Sequence, residues 1–267
     1  MTDMPDVETT SLWRSWQIQR RVIHALVMRE MLTRFGRSNI GFLWMFVEPM
    51  MFTIGVTTLW TFFKAQHGSN LPIAVFALTG YSAVLLWRNM PGRTINAIHP
   101  NKNLMYHRNV RVIDIFVSRI LLEAAGATMS FAILSIIFIH IEWISPPEDI
   151  LKVIVGWLLL FWFAASVAIF LGVLSERSHL VDKFWHPASY LLFPLSGAAF
   201  LVEALPTQMQ QIVLYLPIVH CIEYVREGYF GSYFHPVHDL GYVIEFNTVM
   251  TLFSLAQIRS FTKKVAY

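Results

Sequence analysis

The chain has 267 residues, 55% of them hydrophobic and 14% charged, with a formal net charge of +3 and a mean hydropathy of +0.52. A water-soluble domain carries roughly a quarter charged residues, so this composition excludes a chain solvated by water alone and points to a bilayer. The single cysteine, Cys221, excludes an intramolecular disulfide and a cysteine metal cluster, and is silent on redox compartment.

In chain order, residues 1–11 are polar, with Asp3, Pro5, Asp6 and Glu8, and read as a disordered tail. The first 39 residues hold six arginines and no uninterrupted apolar core of the kind a cleaved signal needs. From Leu12 to Phe35, Leu12, Trp16, Ile23, Leu26 and Val27 share one helical face and Arg14, Gln17, Arg20 and Arg21 occupy the rest. Tryptophans and arginines on such a helix suit the headgroup layer. The pattern predicts an amphipathic interfacial helix over 12–35, acting as an anchor alone or also as a docking surface for a cytoplasmic partner.

The first apolar span runs from about Ile40 to Phe63 and contains Glu48 followed by Pro49. A carboxylate at that depth faces protein or water rather than lipid. It either packs on a polar group of another span or borders a substrate path. The second span covers about Pro72 to Trp87. The stretch Arg88 to Arg111 follows, with Pro91, Gly92, Pro100 and five basic residues. A short helix over Thr94–His99, ended before Pro100, suits a lever moved by a motor. The same composition also suits a solvated loop that only sets topology.

Span three, Val112 to Ile141, would be about 45 Å long as one helix, so its first two turns are expected to project into the cytoplasm with Asp114, Arg119 and Glu123. Arg119 and Glu123 lie four apart and can pair. Left separate at the bilayer centre, each would cost about 3 kcal/mol. The alternative is that they border a water-filled mouth. Span four, Ile150 to Leu174, carries Trp157, Phe161, Trp162 and Phe163, aromatics that face lipid or line a carbohydrate path. Span five runs from about Pro187 to Val202 and span six from about Leu240 to Ile258. Residues 205–230 between them are broken by Pro206 and Pro217 and carry Gln208, Gln210, Gln211, His220 and Glu223. They read as two short re-entrant helices.

Cytoplasmic segments retain lysine and arginine. Sixteen of the 20 basic residues fall before span one, between spans two and three, between four and five, or after span six. Both ends are thus expected in the cytoplasm, which needs an even number of crossings. The fold class is an all-α integral membrane protein with six transmembrane helices, N-in/C-in.

Catalytic motifs are absent. There is no GxxxxGK[ST], so the chain is not expected to hydrolyse ATP, and no HExxH, CxxC pair or GxSxG occurs. His235 and His238 are three apart, but Pro236 between them and the lack of a third ligand favour an ordinary loop over a metal site.

Arg34 to Met50, RFGRSNIGFLWMFVEPM, resembles the opening of type-2 ABC exporter permeases, in which a basic interfacial helix leads through a glycine and a tryptophan to a proline in the first span. Leu78 to Glu123, and above all its NAIHPNKNLMYHRNVRVID stretch, resembles the capsule polysaccharide branch of that family. LPIVHCIEYVREGYFG, Leu216 to Gly231, is similar to the re-entrant element before the last span, although Leu216-Pro217 stands where the family has Asn-Pro. The resemblance covers residues 28–260.

It implies the permease subunit of an ATP-driven exporter of capsular polysaccharide in the bacterial inner membrane. The alternative cargoes are O-antigen, teichoic acid or a small hydrophobic compound. The implied partners are a second permease copy, two ATP-binding cassette subunits that hold the ATP and magnesium, periplasmic co-polymerase-type and outer-membrane export proteins, and a polysaccharide, with or without a lipid end. No cofactor is expected in this chain, and no nucleic acid partner. By the same resemblance Arg29, Glu30, Thr94, Ile95, Asn96, Asn101, Lys102, Asn103 and Leu104 would contact the ATPase. A channel is expected to involve Glu48, Arg88, Arg93, Arg119 and Glu123, with Arg108 and Arg111 at its basic mouth and spans one and five as walls. Pro206, Pro217, Glu223 and Arg226 are expected at a periplasmic gate.

Overall fold

The computed structural model describes residues 11–36, 39–63, 72–106, 110–231 and 234–265. Of the expected disorder over 1–11, residues 1–10 lie outside them, as do Arg37, Lys64 and Arg108, whereas Ser11 is placed as the cap of the first helix. Among the described residues every regular element is helical.

Helix α1, Leu12–Phe35, starts at Ser11, whose hydroxyl accepts from the Arg14 amide at 3.3 Å, filling one of the open donors of a helix start. It stops at Gly36, where φ is +78°, a left-handed conformation that glycine adopts without penalty. Leu26 is its buried residue, while Trp13 and Trp16 stack on each other and stay exposed. The two-faced pattern is therefore realised as a helix lying on the bundle rather than inside it.

Helix α2 spans Asn39–Phe62 and passes through Pro49. Thr57 and Thr61 donate back to the carbonyls of Thr53 and Thr57 at 2.7 and 2.8 Å, so their hydroxyls need no water. Helix α3, Ile73–Thr94, is the centre of the fold and packs against α2 and against four of the helices that follow it. Its apolar window is 83% buried, against 11% for α2. It continues a further two turns past Trp87, through Pro91, where the expected second span ends. The expected short helix over Thr94–His99 does not form. The chain breaks at Ile95 and Asn96, the latter with φ +54°, and a 3₁₀ segment follows over His99–Tyr106. Proline, lacking an N–H, suits the first turn of a helical segment, and Pro100 opens this turn instead of ending one.

Helix α4 spans Val112–His140 and begins with a capping box, in which the Arg111 amide donates to Asp114 Oδ2 at 2.8 Å. Helix α5, Ile150–Ser175, is capped by Asp149, which accepts from Lys152 N at 3.1 Å. Of the span-four aromatics, Trp157 meets neither lipid nor a passage. It is buried, stacked on Phe131 at 4.6 Å, with its indole N–H on the Thr128 hydroxyl at 2.9 Å.

Helix α6, Leu180–Leu195, lies seven residues earlier than the expected fifth span and holds Pro187 and Pro194 internally. It ends where Gly197 takes φ +85°, and the apolar residues 198–202 that extended the sequence pattern form a buried turn. Short α7, Thr207–Val213, and α8, Pro217–Phe230, follow as the two helices expected there. Helix α8 is mostly buried and lies close on α5. A Cβ on Gly156 would stand 2.8 Å from Val225, and one on Gly228 2.7 Å from Val153. Small residues allow this approach.

Helix α9, Leu240–Val265, packs along α5 through polar contacts. Trp162 donates to the Thr251 hydroxyl at 2.9 Å, Ser254 to the Ser166 carbonyl at 2.9 Å and Asn247 to the Leu159 carbonyl at 3.2 Å. Among the described residues, four helices, α2 to α5, are long and apolar enough to cross a membrane. Helix α6 has only 16 residues, and α9 carries Glu245, Asn247, Gln257 and Arg259.

Candidate functional site

The basic end of the bundle is built by α1, α4 and the turn after α3. The expected Arg119–Glu123 pair within α4 is not formed. Arg119 instead stands 3.3 Å from Glu30 of α1 and donates to the Arg93 carbonyl at 2.7 Å. Glu123 takes Arg34 of α1 at 2.5 Å and Arg93 of α3 at 3.5 Å. The physical reason is that α1 packs along α4 and delivers charges of the right sign to both residues. Arg29 donates to the Asn101 side chain at 2.5 Å, and Gln19 to Asp114. A helix with one buried residue is thus held by a ladder of charged and amide contacts.

The turn after α3 is fastened to the end of α5. Thr94 Oγ1 donates to the Ala168 carbonyl at 2.7 Å, the Asn96 amide to Ser175 Oγ at 3.0 Å and the Ile98 amide to Glu176 Oε1 at 3.2 Å. Asn101 is buried and bonds its amide to the Ala97 carbonyl at 2.8 Å, Ile95 is buried, Leu104 is half-buried, and Lys102 and Asn103 are exposed. Of the predicted contact residues, Arg29, Asn96, Lys102 and Asn103 are exposed and Glu30 and Leu104 half-buried at this end, whereas Thr94, Ile95 and Asn101 are buried and offer no surface. Sequence reading missed Ser175 and Glu176, which hold this surface in place. Their only signal was position just after an apolar span, where polar residues are expected in any case.

Next to this surface, a partly open cavity of about 240 Å³ lies between α1, α2, α3 and α4. Glu48, Arg88, Arg93 and Glu123 all reach it, joined by Arg34 and Asn89. Four of the five expected channel residues therefore meet. Arg119 is not among the lining residues, being engaged with Glu30. Glu48 is itself exposed and lines this cavity together with Arg34, Arg88 and Arg93.

At the opposite end, Pro206 caps the start of α7 and Pro217 is the first residue of α8. Proline fits there because its missing N–H would have no helical partner. Glu223 and Arg226 are fully buried and 3.7 Å apart. Arg226 donates to the carbonyls of Gly197 and Phe200 at 2.7 and 2.8 Å and to that of Ala198 at 3.0 Å, and its guanidinium lies 4.0 Å from the Phe76 ring centroid. The pair pins the turn after α6 onto α8 and α3. Beside it, past the first turn of α5, Glu227 bonds Lys152 at 2.7 Å and His238 at 2.6 Å. Burial works to raise the Glu227 carboxyl, but these two partners outweigh it and hold it below its ordinary value. His238 thus has a carboxylate partner. Among the described residues, no group of three metal-binding side chains converges, at His235 and His238 or elsewhere.

Residues 21–230 match the family described as ABC-2 type transporter. The chain is 41% identical over 262 residues to the capsule polysaccharide export inner-membrane protein CtrC of Neisseria meningitidis serogroup B, covering 98% of this chain and 99% of that protein. It is 38% identical over 258 residues to the capsule polysaccharide export inner-membrane protein BexB of Haemophilus influenzae, covering 97% of each. Identity to the polysialic acid transport protein KpsM of Escherichia coli is 24% over 249 residues, 92% of this chain and 95% of that protein.

Proposed function

Because the chain belongs to the ABC-2 type transporter family, we propose that it is the inner-membrane permease that carries capsular polysaccharide out of the cytoplasm. A separate nucleotide-binding subunit drives it, two permease copies form the passage, and α2, α3, α4, α5, α6 and α9 make six crossings with both ends in the cytoplasm. The observation that carries this reading is the bare flank of the bundle. Helices α2 and α6 stand on either side of the buried α3. Their exposed faces carry Leu43, Trp44, Met51 and Phe52 on one and Phe184 and Leu191 on the other. Lipid or a second copy satisfies such surfaces, and a passage between copies needs walls of this kind on both sides of a central helix.

Aromatic rings line part of this flank. Tyr81 of α3 meets Phe52 and Trp60 of α2 at 5.8 and 5.3 Å and Phe193 of α6 at 5.5 Å. Ring faces accept the C–H side of a sliding sugar without holding it at one point. The basic-end surface around Glu30, Asn96 and Lys102 receives the ATPase. Helices α7 and α8 dip from the outer side and close the passage at rest.

Deletion of the gene in its native host, with polysaccharide located inside and outside the cell, tests the reading. Loss from the surface with accumulation inside is the expected result. Unchanged surface capsule, in a host without a redundant exporter, overturns it and directs the search to O-antigen, teichoic acid or small hydrophobic cargo.

A further inference from the structure

Sharing Arg88, Asn89 and Arg93 with the first cavity, the basic end of α3 and α6 leave an open cleft of about 300 Å³, at the small end of ligand sites. Its charge and its rings are arranged unequally. Arg93, which reaches it, already has Glu123 at 3.5 Å, and His186 has Asp182 at 3.6 Å. Arg88 has no carboxylate within 4.0 Å among the described residues, and its guanidinium carbon lies 5.2 Å from the Tyr190 ring centroid. Asn89 adds an amide, and buried Trp185 forms the floor, its indole nitrogen 3.7 Å from where a Gly92 side chain would begin. Tyr190 is 66% exposed, so one ring face remains open.

We infer that this cleft binds an oxyanion carried on a sugar ring. A guanidinium offers paired donors that match carboxylate and phosphate alike, and Arg88 is the cation of the cleft with donors not already committed to an acid. An aromatic face next to it receives the apolar side of a pyranose, and the volume accommodates one ring with its charged substituent. Two sources share that chemistry: the carboxylate of an acidic residue along a polymer, or the phosphate at a polymer's linked end. The inference deepens the export reading by naming what the cytoplasmic mouth would grip, and it rests on that reading for its place on the path. Binding itself is independent of it.

The test is saturation-transfer NMR on the full-length protein in lipid nanodiscs, with galactose 1-phosphate, glucuronate and neutral galactose as probes. Galactose 1-phosphate or glucuronate should give ring-proton signals at least tenfold stronger than galactose, and Arg88→Gln and Tyr190→Ala should each weaken binding about tenfold. The stronger of the two charged probes identifies the source. Equal signals from galactose, or binding untouched by either substitution, overturns the site. Tyr190 is exposed, so its variant decides the matter if Arg88→Gln fails to fold. Intact surface capsule after gene deletion would sink export while leaving a selective binding result standing. Capsule loss with no selectivity would do the reverse.

Discussion

Arg226 has no water to turn to. Its charge is spread over three carbonyls of the turn after α6, one aromatic face and Glu223. Removing one member of such a buried pair leaves the other uncompensated, at a cost of about 3–5 kcal/mol. Arg226→Met is therefore expected to lower the thermal unfolding midpoint in detergent markedly, and adding Glu223→Gln should recover part of the loss. No recovery would mean that the carbonyl contacts, not the carboxylate, dominate. Gly80 lies against the same turn, where a Cβ would sit 2.5 Å from the Ala198 carbonyl oxygen. Gly80→Ala should cost about 1–3 kcal/mol by overpacking, read in the same assay. Glu227 gives a pH signature. Its carboxyl is held below the ordinary value, so the stabilisation is complete above that ordinary value and is lost as pH falls through the lowered one. Melting measured against pH should show this acid limb, and Glu227→Gln should flatten it.

Among the helices, the docking of the turn after α3 onto α5 is the contact through which the proposed ATPase drive would pass. Ser175 and Glu176 each accept one backbone amide of that turn. Ser175→Ala with Glu176→Ala should leave the protein inserted and folded while cutting export and substrate-linked ATP hydrolysis severalfold, measured in reconstituted vesicles. Full activity in that variant would remove the turn from energy coupling. The charge ladder between α1 and α4 shows why local sequence rules misassigned it. An i,i+4 pair was the natural reading of Arg119 and Glu123 because it uses only intrahelical neighbours. Helix α1 lies about 90 positions away in sequence from its partners, and its Glu30 and Arg34 compete successfully because packing along α4 brings them within bonding distance. The span boundaries tell the same story. Apolar length marked α2, α4 and α5 to within a few residues, whereas α6 was displaced because apolar residues 198–202 belong to a turn held by Arg226.

Across the whole molecule, α3 is the shaft on which α2, α4, α5, α6 and α8 pack, and the α2 and α6 faces are left bare. Paired permeases would bring α2 of one copy towards α6 of the other. With Cys221 replaced by Ser, Met51→Cys combined with Phe184→Cys should yield a covalent dimer on oxidation of membranes. Its absence, with both thiols shown reactive, would remove this face as the seam between copies.

The sequence by itself determined the solvent, the class and the family. Charge depletion demands lipid and apolar length gives the main spans, both of which are properties of composition and local order. Only the tertiary structure decided which charges neutralise one another, that Trp157 is core rather than passage, and that Arg88 alone in its cleft keeps its donors uncommitted to an acid. These depend on which helices meet, and helix contacts are set by the summed packing of faces far apart in the chain, which no local spacing encodes.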